Sequence, residues 1–229
     1  MTIYPLQFFG VGDCIFTQTL INAIANGSPI IWGVMSQFVE GLNRAYPNVQ
    51  WVDYKTLDID FERKEDVIIG DKHIIPIRFA DQMMQAPYST CMAMKYKMYS
   101  LDWKVWRQDA MWQRDTAKET ELQTVLGIAD GERYNLINKH FRSNNTGAAD
   151  IDVNNGLRNV YMHTLEGFSL FDWYLIIQNA VEIHTVNTAI LYILELMDIS
   201  MPIHLYKRLP DETDFKNTEY LFTKPYILH

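Results

Sequence analysis

The stretch Ile3-Tyr4-Pro5-Leu6-Gln7-Phe8-Phe9-Gly10-Val11-Gly12-Asp13-Cys14-Ile15 decides how this chain folds. An apolar-rich run stops at Gly10-Val11-Gly12-Asp13, and beyond it Ile15, Thr19, Ile21 and Ile24 recur at near-helical spacing as far as Asn26-Gly27. This is a strand, a tight turn and a helix. Outward from it, Pro29-Ile30-Ile31-Trp32-Gly33-Val34 reads as a buried strand, Phe38 to Arg44 as a second helix and Val49 to Tyr54 as a third strand. Strands that alternate with short helices make βαβ units, and therefore a parallel sheet. Asp58 to Asp66 is charged and reads as a loop, with two short strands after it at Val67 to Ile69 and His73 to Ile77.

From Met92 to Leu126 the pattern changes. Trp103, Trp106, Met111 and Trp112 stand among charged residues with no Gly or Pro, which predicts helices broken near Ser100. Three tryptophans so close together are costly to expose, so the segment is either a core helix or a connector packed against its neighbours. After Gly127-Ile128-Ala129-Asp130-Gly131 the alternation resumes: strands at Tyr134 to Asn138, Val160 to His163, Glu182 to His184 and Ile203 to Tyr206, with helices at Asp172 to Ala180 and Asn187 to Met197. The expected layout is an α/β protein of two similar lobes, 1–91 and 129–210, a helical connector 92–128, and a tail 211–229 held by Tyr220, Phe222 and Tyr226.

The chain has 229 residues, 48% hydrophobic and 21% charged, enough apolar material for a sizeable core. Its formal charge of -8 opposes a surface built to neutralise a nucleic-acid backbone. Cys14 and Cys91 are its only thiols, too few for a disulfide framework, and no apolar run approaches the ~20 residues that span a bilayer. The expectation is a cytoplasmic protein with no transmembrane segment; the composition leaves the oligomeric state open.

Ligands of open parallel sheets bind at the carboxyl ends of the strands. Three strand-to-helix junctions here are polar. At the first, Gly10 and Gly12 permit close backbone approach, and Asp13 is either the cap of a helix starting at Cys14 or a catalytic carboxylate. The third glycine of a dinucleotide fingerprint is missing, with Ile15 in its place. The second junction, Lys139 to Thr146, sets Arg142 beside the donors Ser143 and Asn144, a mixture suited to a diphosphate or to an ordinary solvated loop. The third carries Thr185, Asn187 and Thr188 at a predicted helix start, suited to an anion or to capping. Beside them, His184 is a proton donor, a ring partner or a core histidine, and Glu166 is a candidate for two ribose hydroxyls. Asp58-Ile59-Asp60 and Asp150-Ile151-Asp152 match a metal-holding tripeptide that is common by chance; no metal site is assigned.

Gly10-Val11-Gly12-Asp13-Cys14-Ile15 resembles the opening of the heptosyltransferase-like glycosyltransferases of the GT-B fold, a group that also has a fucosyltransferase-like branch. Phe171 to Ala180 followed by Glu182-Ile183-His184-Thr185-Val186-Asn187-Thr188-Ala189 resembles their second half. The resemblance implies two Rossmann-like lobes facing a cleft and transfer of a sugar from a nucleotide-diphosphate donor to a hydroxyl acceptor. It implies Asp13 as general base, inversion at the anomeric carbon, and a diphosphate held by Thr185, Asn187, Thr188, Arg142 and Ser143. By the same resemblance no metal or cofactor beyond the donor is needed. The heptosyltransferase Asp-Ser-Gly-x-x-His pattern is replaced by His184-Thr185-Val186-Asn187-Thr188, which leaves the donor's base and sugar open. Two other readings share these residues: a binding module that keeps the nucleotide-sugar pocket without the reaction, and a nicotinamide-dependent oxidoreductase. A third, a structural protein, uses the tryptophan-rich middle as its interface.

Overall fold

The computed structural model describes residues 1–78, 85, 87, 90–141, 147–208 and 218–229. The chain forms two compact units, Met1–Gln113 and Arg114–His229. The tryptophan-rich middle is shared between them, residues 92–113 in the first unit and 114–128 in the second. No helix among the described residues is long and apolar enough to cross a membrane.

In the first unit β1 (Thr2–Leu6) leads through helix α1 (Val11–Ala25) to β2 (Ile31–Val34), then through α2 (Ser36–Ala45) to β3 (Gln50–Asp53). Strands β4 (Val67–Ile69) and β5 (Lys72–Pro76) follow, then helix α3 (Cys91–Lys97). β2 pairs parallel with β3, β1 parallel with β5, and β4 antiparallel with β5. β1 and β2 are joined only by the bridge Ile3–Ile30, where the Ile3 N–H donates to Pro29 O at 2.8 Å. Pro5 explains why the ladder stops: two residues beyond Ile3 it faces the same neighbour, and it has no N–H to give. The strand order is therefore β3-β2-β1-β5-β4, with consecutive strands laid to one side of β1 and β5 to the other. The carboxyl ends of β1 and β5 form this unit's switch point.

The helix expected from Cys14 begins at Val11, so Gly10 is its cap and Asp13 lies in its first turn. The long helical stretch expected around the tryptophans is also corrected. After α3 only a short 3-10 turn forms at Trp103–Val105, with no α-helix before Thr116–Val125, helix α4. Tertiary bonds take the place of the helical ladder: Thr19 Oγ donates to Trp106 O at 2.9 Å and Tyr46 Oη to Ala110 O at 2.6 Å, while the Gln113 N–H donates to Ala45 O. Trp106, Ala110 and Trp112 are buried by this arrangement. Elsewhere in the unit Trp32 and Trp51 stack with ring centroids 4.8 Å apart.

The second unit is a five-stranded, wholly parallel sheet in the order β9-β6-β10-β11-β12. Its strands are β6 (Tyr134–Asn138), β9 (Arg158–Tyr161), β10 (Glu182–Val186), β11 (Ile203–Tyr206) and β12 (Tyr226–Leu228). A small antiparallel hairpin of β7 (His140–Phe141) and β8 (Gly147–Ala148) follows β6; helices α5 (Tyr174–Asn179) and α6 (Ile190–Leu196) precede and follow β10. The order is that of a flavodoxin-like sheet, whose winding reverses between β6 and β10. Residues of the tail add a further strand, β12, beside β11. Buried Glu195 on α6 anchors that tail: its carboxylate accepts from the Thr223 and Lys224 N–H groups at 2.9–3.0 Å and from Tyr226 Oη at 3.0 Å.

Successive residues of a strand face opposite sides, so the register assigns the two faces of this sheet. Leu136, Ile183, Ile203 and Leu205 share one face. The other carries Asn135, Ile137, Glu182, His184, Val186, His204 and Tyr206. On that side Ile137 and Val186 pack against Phe141, Ala149 and Ile151, which lays the hairpin and the chain after it over part of the face. Parallel sheets are usually apolar on both sides, so a row of histidines and a carboxylate is a departure from the rule.

Candidate functional site

Each switch point carries a polar cluster. In the first unit the chain leaves β1 at Gln7, which is fully buried and bonded in four directions. Its amide Nε2 donates to Phe9 O at 2.7 Å, and its backbone carbonyl accepts from Trp32 Nε1 at 2.9 Å and, more weakly, from the Cys14 thiol at 3.8 Å. Its Oε1 accepts from Lys95 Nζ at 3.0 Å. Gly10 then turns the chain with φ +77°, which favours glycine, and a Cβ there would stand 2.7 Å from Asp13 Oδ2 and push that carboxylate aside. Asp13 follows in the first turn of α1, where the positive end of the helix dipole favours a carboxylate.

Lys95, brought by α3, is buried and its ammonium is ion-paired with Asp13 Oδ1. Nothing in the sequence marks it, because the pair joins residues 82 positions apart. Lys95 therefore bridges Gln7 and Asp13, while Asp13 keeps its side chain one-third exposed and turns Oδ2 toward Gly10. Next to it, burial and then the Asp13 charge push the Cys14 thiol far above its ordinary range. Cys14 is a packing residue held as the neutral thiol.

In the second unit the described side chains that meet at the switch point are neutral. Asn138, at the end of β6, donates from Nδ2 to Thr185 Oγ at 2.9 Å and to Thr188 Oγ at 3.0 Å. The Thr185 hydroxyl donates in turn to Val186 O at 3.0 Å. Thr185 is fully buried inside β10, not at the start of the following helix, and that helix begins later than expected, at Ile190. Asn187 and Thr188 occupy the turn between them, half-buried, with Asn187 Nδ2 donating to Thr218 Oγ at 3.1 Å. Asn138, which ties β6 to this turn, was not among the residues singled out from sequence.

The other expected residues are dispersed. Arg142, Ser143 and Asn144 lie outside the described residues. Glu166 is exposed in the turn after β9. His184 faces the polar side of the sheet, where its ring stacks on that of His204, 4.5 Å between centroids and 9° from parallel. Its Nδ1 lies 3.0 Å from Tyr206 Oη and its Nε2 3.3 Å from Glu182 Oε2. Burial, reinforced by His204 and opposed by Glu182, holds the His184 imidazole below its ordinary range; burial does the same for His204. So His184 is a ring partner of this face, on the side of the sheet opposite Thr185.

No protein-family model matches the chain, and no curated protein matches it. Among solved structures, the glycosyl transferase family 9 protein from Veillonella parvula DSM 2008 superposes over 100% of this chain and 86% of its own, with a TM-score of 0.56 at 10% identity. The chain has the GT-B fold. The E. coli heptosyltransferase WaaC with ADP is a more distant match, with a TM-score of 0.42 at 11% identity over 100% of this chain and 90% of its own. At such identities the likeness is one of GT-B architecture, reached by a different sequence.

Proposed function

We propose that this chain is a glycosyltransferase that moves a sugar from a nucleotide-diphosphate donor to a hydroxyl acceptor, with inversion and without a metal in the transfer step. The observation that carries the reading is the whole-chain likeness to a glycosyl transferase family 9 structure. Asp13 at the head of α1 supports it, because the carboxylate stands partly exposed at a strand end, where a substrate can reach it.

In the proposed reaction the Asp13 carboxylate accepts the proton of the acceptor hydroxyl as that oxygen bonds to the anomeric carbon. The bond from that carbon to the diphosphate breaks on the opposite side, its electrons pass to the phosphate oxygen, and the configuration inverts. Lys95 and Gln7 hold Asp13 in place, with the ammonium on Oδ1. Oδ2, on the Gly10 side, is the oxygen we assign to the incoming hydroxyl. The departing diphosphate is assigned to the β6–β10 switch point, with Asn187 and Thr188 as donors and the segment of Arg142, Ser143 and Asn144 as the cationic side. The role of Asn138 there is to orient the hydroxyl of Thr188.

One observation favours a second reading, a nucleotide-sugar-binding module without turnover: Lys95 already neutralises Asp13. Thermal shift against nucleoside diphosphates and their sugar conjugates tests the shared part of both. At 100 times its dissociation constant a ligand stabilises by about 2.7 kcal/mol. A diphosphate or conjugate that raises the melting temperature supports the donor site; a flat response across the panel, confirmed by calorimetry, removes both readings.

A further inference from the structure

Three of the six histidines, His184, His204 and His229, gather on the polar face of the second unit's sheet, beside Glu182. The alternation of β10 and β11 places them there. Glu182 and His184 are two apart on β10, and His204 is the cross-strand partner of His184. Glu182 Oε2 lies 3.3 Å from His184 Nε2 and 4.0 Å from His204 Nε2, the second distance too long for a hydrogen bond. Each imidazole has its other nitrogen engaged, His184 Nδ1 with Tyr206 Oη at 3.0 Å and His204 Nδ1 with His229 Nε2 at 2.9 Å. Asn155 Nδ2 meets the same carboxylate oxygen at 3.3 Å. Among the described residues the ion-pair partners of Glu182 are these two imidazoles, and its side chain is 30% exposed, so a solvated ion can reach it.

We propose that Glu182, His184 and His204 form a binding site for a divalent transition cation of the zinc type. The three ligand atoms lie within 4.8 Å of one another. Zinc bonds of about 2.0–2.2 Å require ligand atoms roughly 3.4 Å apart, so closing the site draws these atoms together by up to about 1.4 Å and tilts the two stacked rings out of parallel, which aims both Nε2 lone pairs at one ion. The surroundings suit the role. A hydrogen bond at Nδ1 leaves Nε2 as the metal-binding nitrogen and fixes the ring, which is what Tyr206 and His229 do for the two histidines. Two imidazoles and one carboxylate select zinc, cobalt or iron over magnesium and calcium, which prefer oxygen throughout. Fourth and further positions are left to water. The site is separate from Thr185, because Thr185 faces the opposite side of β10. The proposal therefore stands or falls independently of sugar transfer.

The full chain, stripped with a chelator, is titrated with Co²⁺, followed by its visible absorption, and with Zn²⁺ and Mg²⁺, followed by calorimetry and melting temperature. One equivalent of Co²⁺ and of Zn²⁺ binds, Zn²⁺ raises the melting temperature, and Mg²⁺ does neither. Glu182→Gln and His204→Gln each weaken Zn²⁺ binding at least 100-fold while retaining the native circular dichroism. Tyr206→Phe, which removes only the ring's support, weakens it roughly 10-fold. Replacing the exposed His163 by Gln leaves it unchanged. If either ligand variant does not fold, the other gives the same reading. Absence of binding by the wild-type chain at about 100 µM metal, or an affinity unaltered in the folded Glu182 and His204 variants, overturns the proposal.

Discussion

The two switch points are built on the same principle and furnished differently. At the end of β1 a carboxylate, an ammonium and an amide from three separate elements are held together, with the ammonium buried. At the end of β6 the Asn138 amide, the Thr185 hydroxyl of β10 and the Thr188 hydroxyl of the turn after it make a neutral network. The first holds a carboxylate that can take a proton; the second offers neutral hydrogen-bonding groups. A reaction that needs both a base and a cradle for an anionic leaving group calls for this division, and it is the physical reason for assigning Asp13 to the acceptor and the second unit to the donor.

The comparison can be broken by substitution. The largest stability loss is expected for Asp13→Ala, which strands the Lys95 ammonium in a buried position with Gln7 as its remaining oxygen partner here. The cost is about 3 kcal/mol, at the low end for breaking a buried ion pair because Asp13 is partly exposed. Urea denaturation reads it directly, and Asp13→Leu combined with Lys95→Met should recover most of the loss. Asn138→Ala in the neutral network is expected to cost about 1–3 kcal/mol, by leaving the buried Thr185 hydroxyl without its donor. Unlike the Asp13 variant, its loss should not vary with salt. Gly10→Ala sharpens the contrast further, since strain at a φ of +77° and the approach to Asp13 Oδ2 cost about 1–2 kcal/mol. Its signature is a fall in turnover larger than the stability loss explains, because the carboxylate must shift to make room.

Local chemistry was legible in the sequence where it depends on neighbours along the chain. The change from strand to helix at Gly10 and the alternation behind the parallel pairings of both units were readable, because periodicity and glycine placement are local properties. Lys95 was not, since only tertiary packing of α3 brings it to Asp13. The same holds for residues 101–115, where helix propensity lost to hydrogen bonds from Thr19 and Tyr46 and to the burial of Trp106 and Trp112. Strand β12 within the tail was not legible, because an edge strand of three residues has no period to detect. His204 did leave a signal: Ile203-His204-Leu205-Tyr206 alternates apolar and polar in a sheet whose strands should be apolar throughout, as does Glu182-Ile183-His184. Together those two alternations place polar residues on one face of the sheet.

The central claim is that Asp13 takes the acceptor's proton. Asp13→Asn keeps an oxygen for Lys95 and the size of the side chain while removing the base. Turnover is measured with the sugar conjugate that gives the largest thermal shift, and nucleoside-diphosphate affinity by calorimetry on the same preparation. The account predicts a loss of turnover of about 10²–10⁴-fold with affinity within a factor of about three of the wild type. Turnover equal to the wild type in a folded Asp13→Asn protein would contradict it.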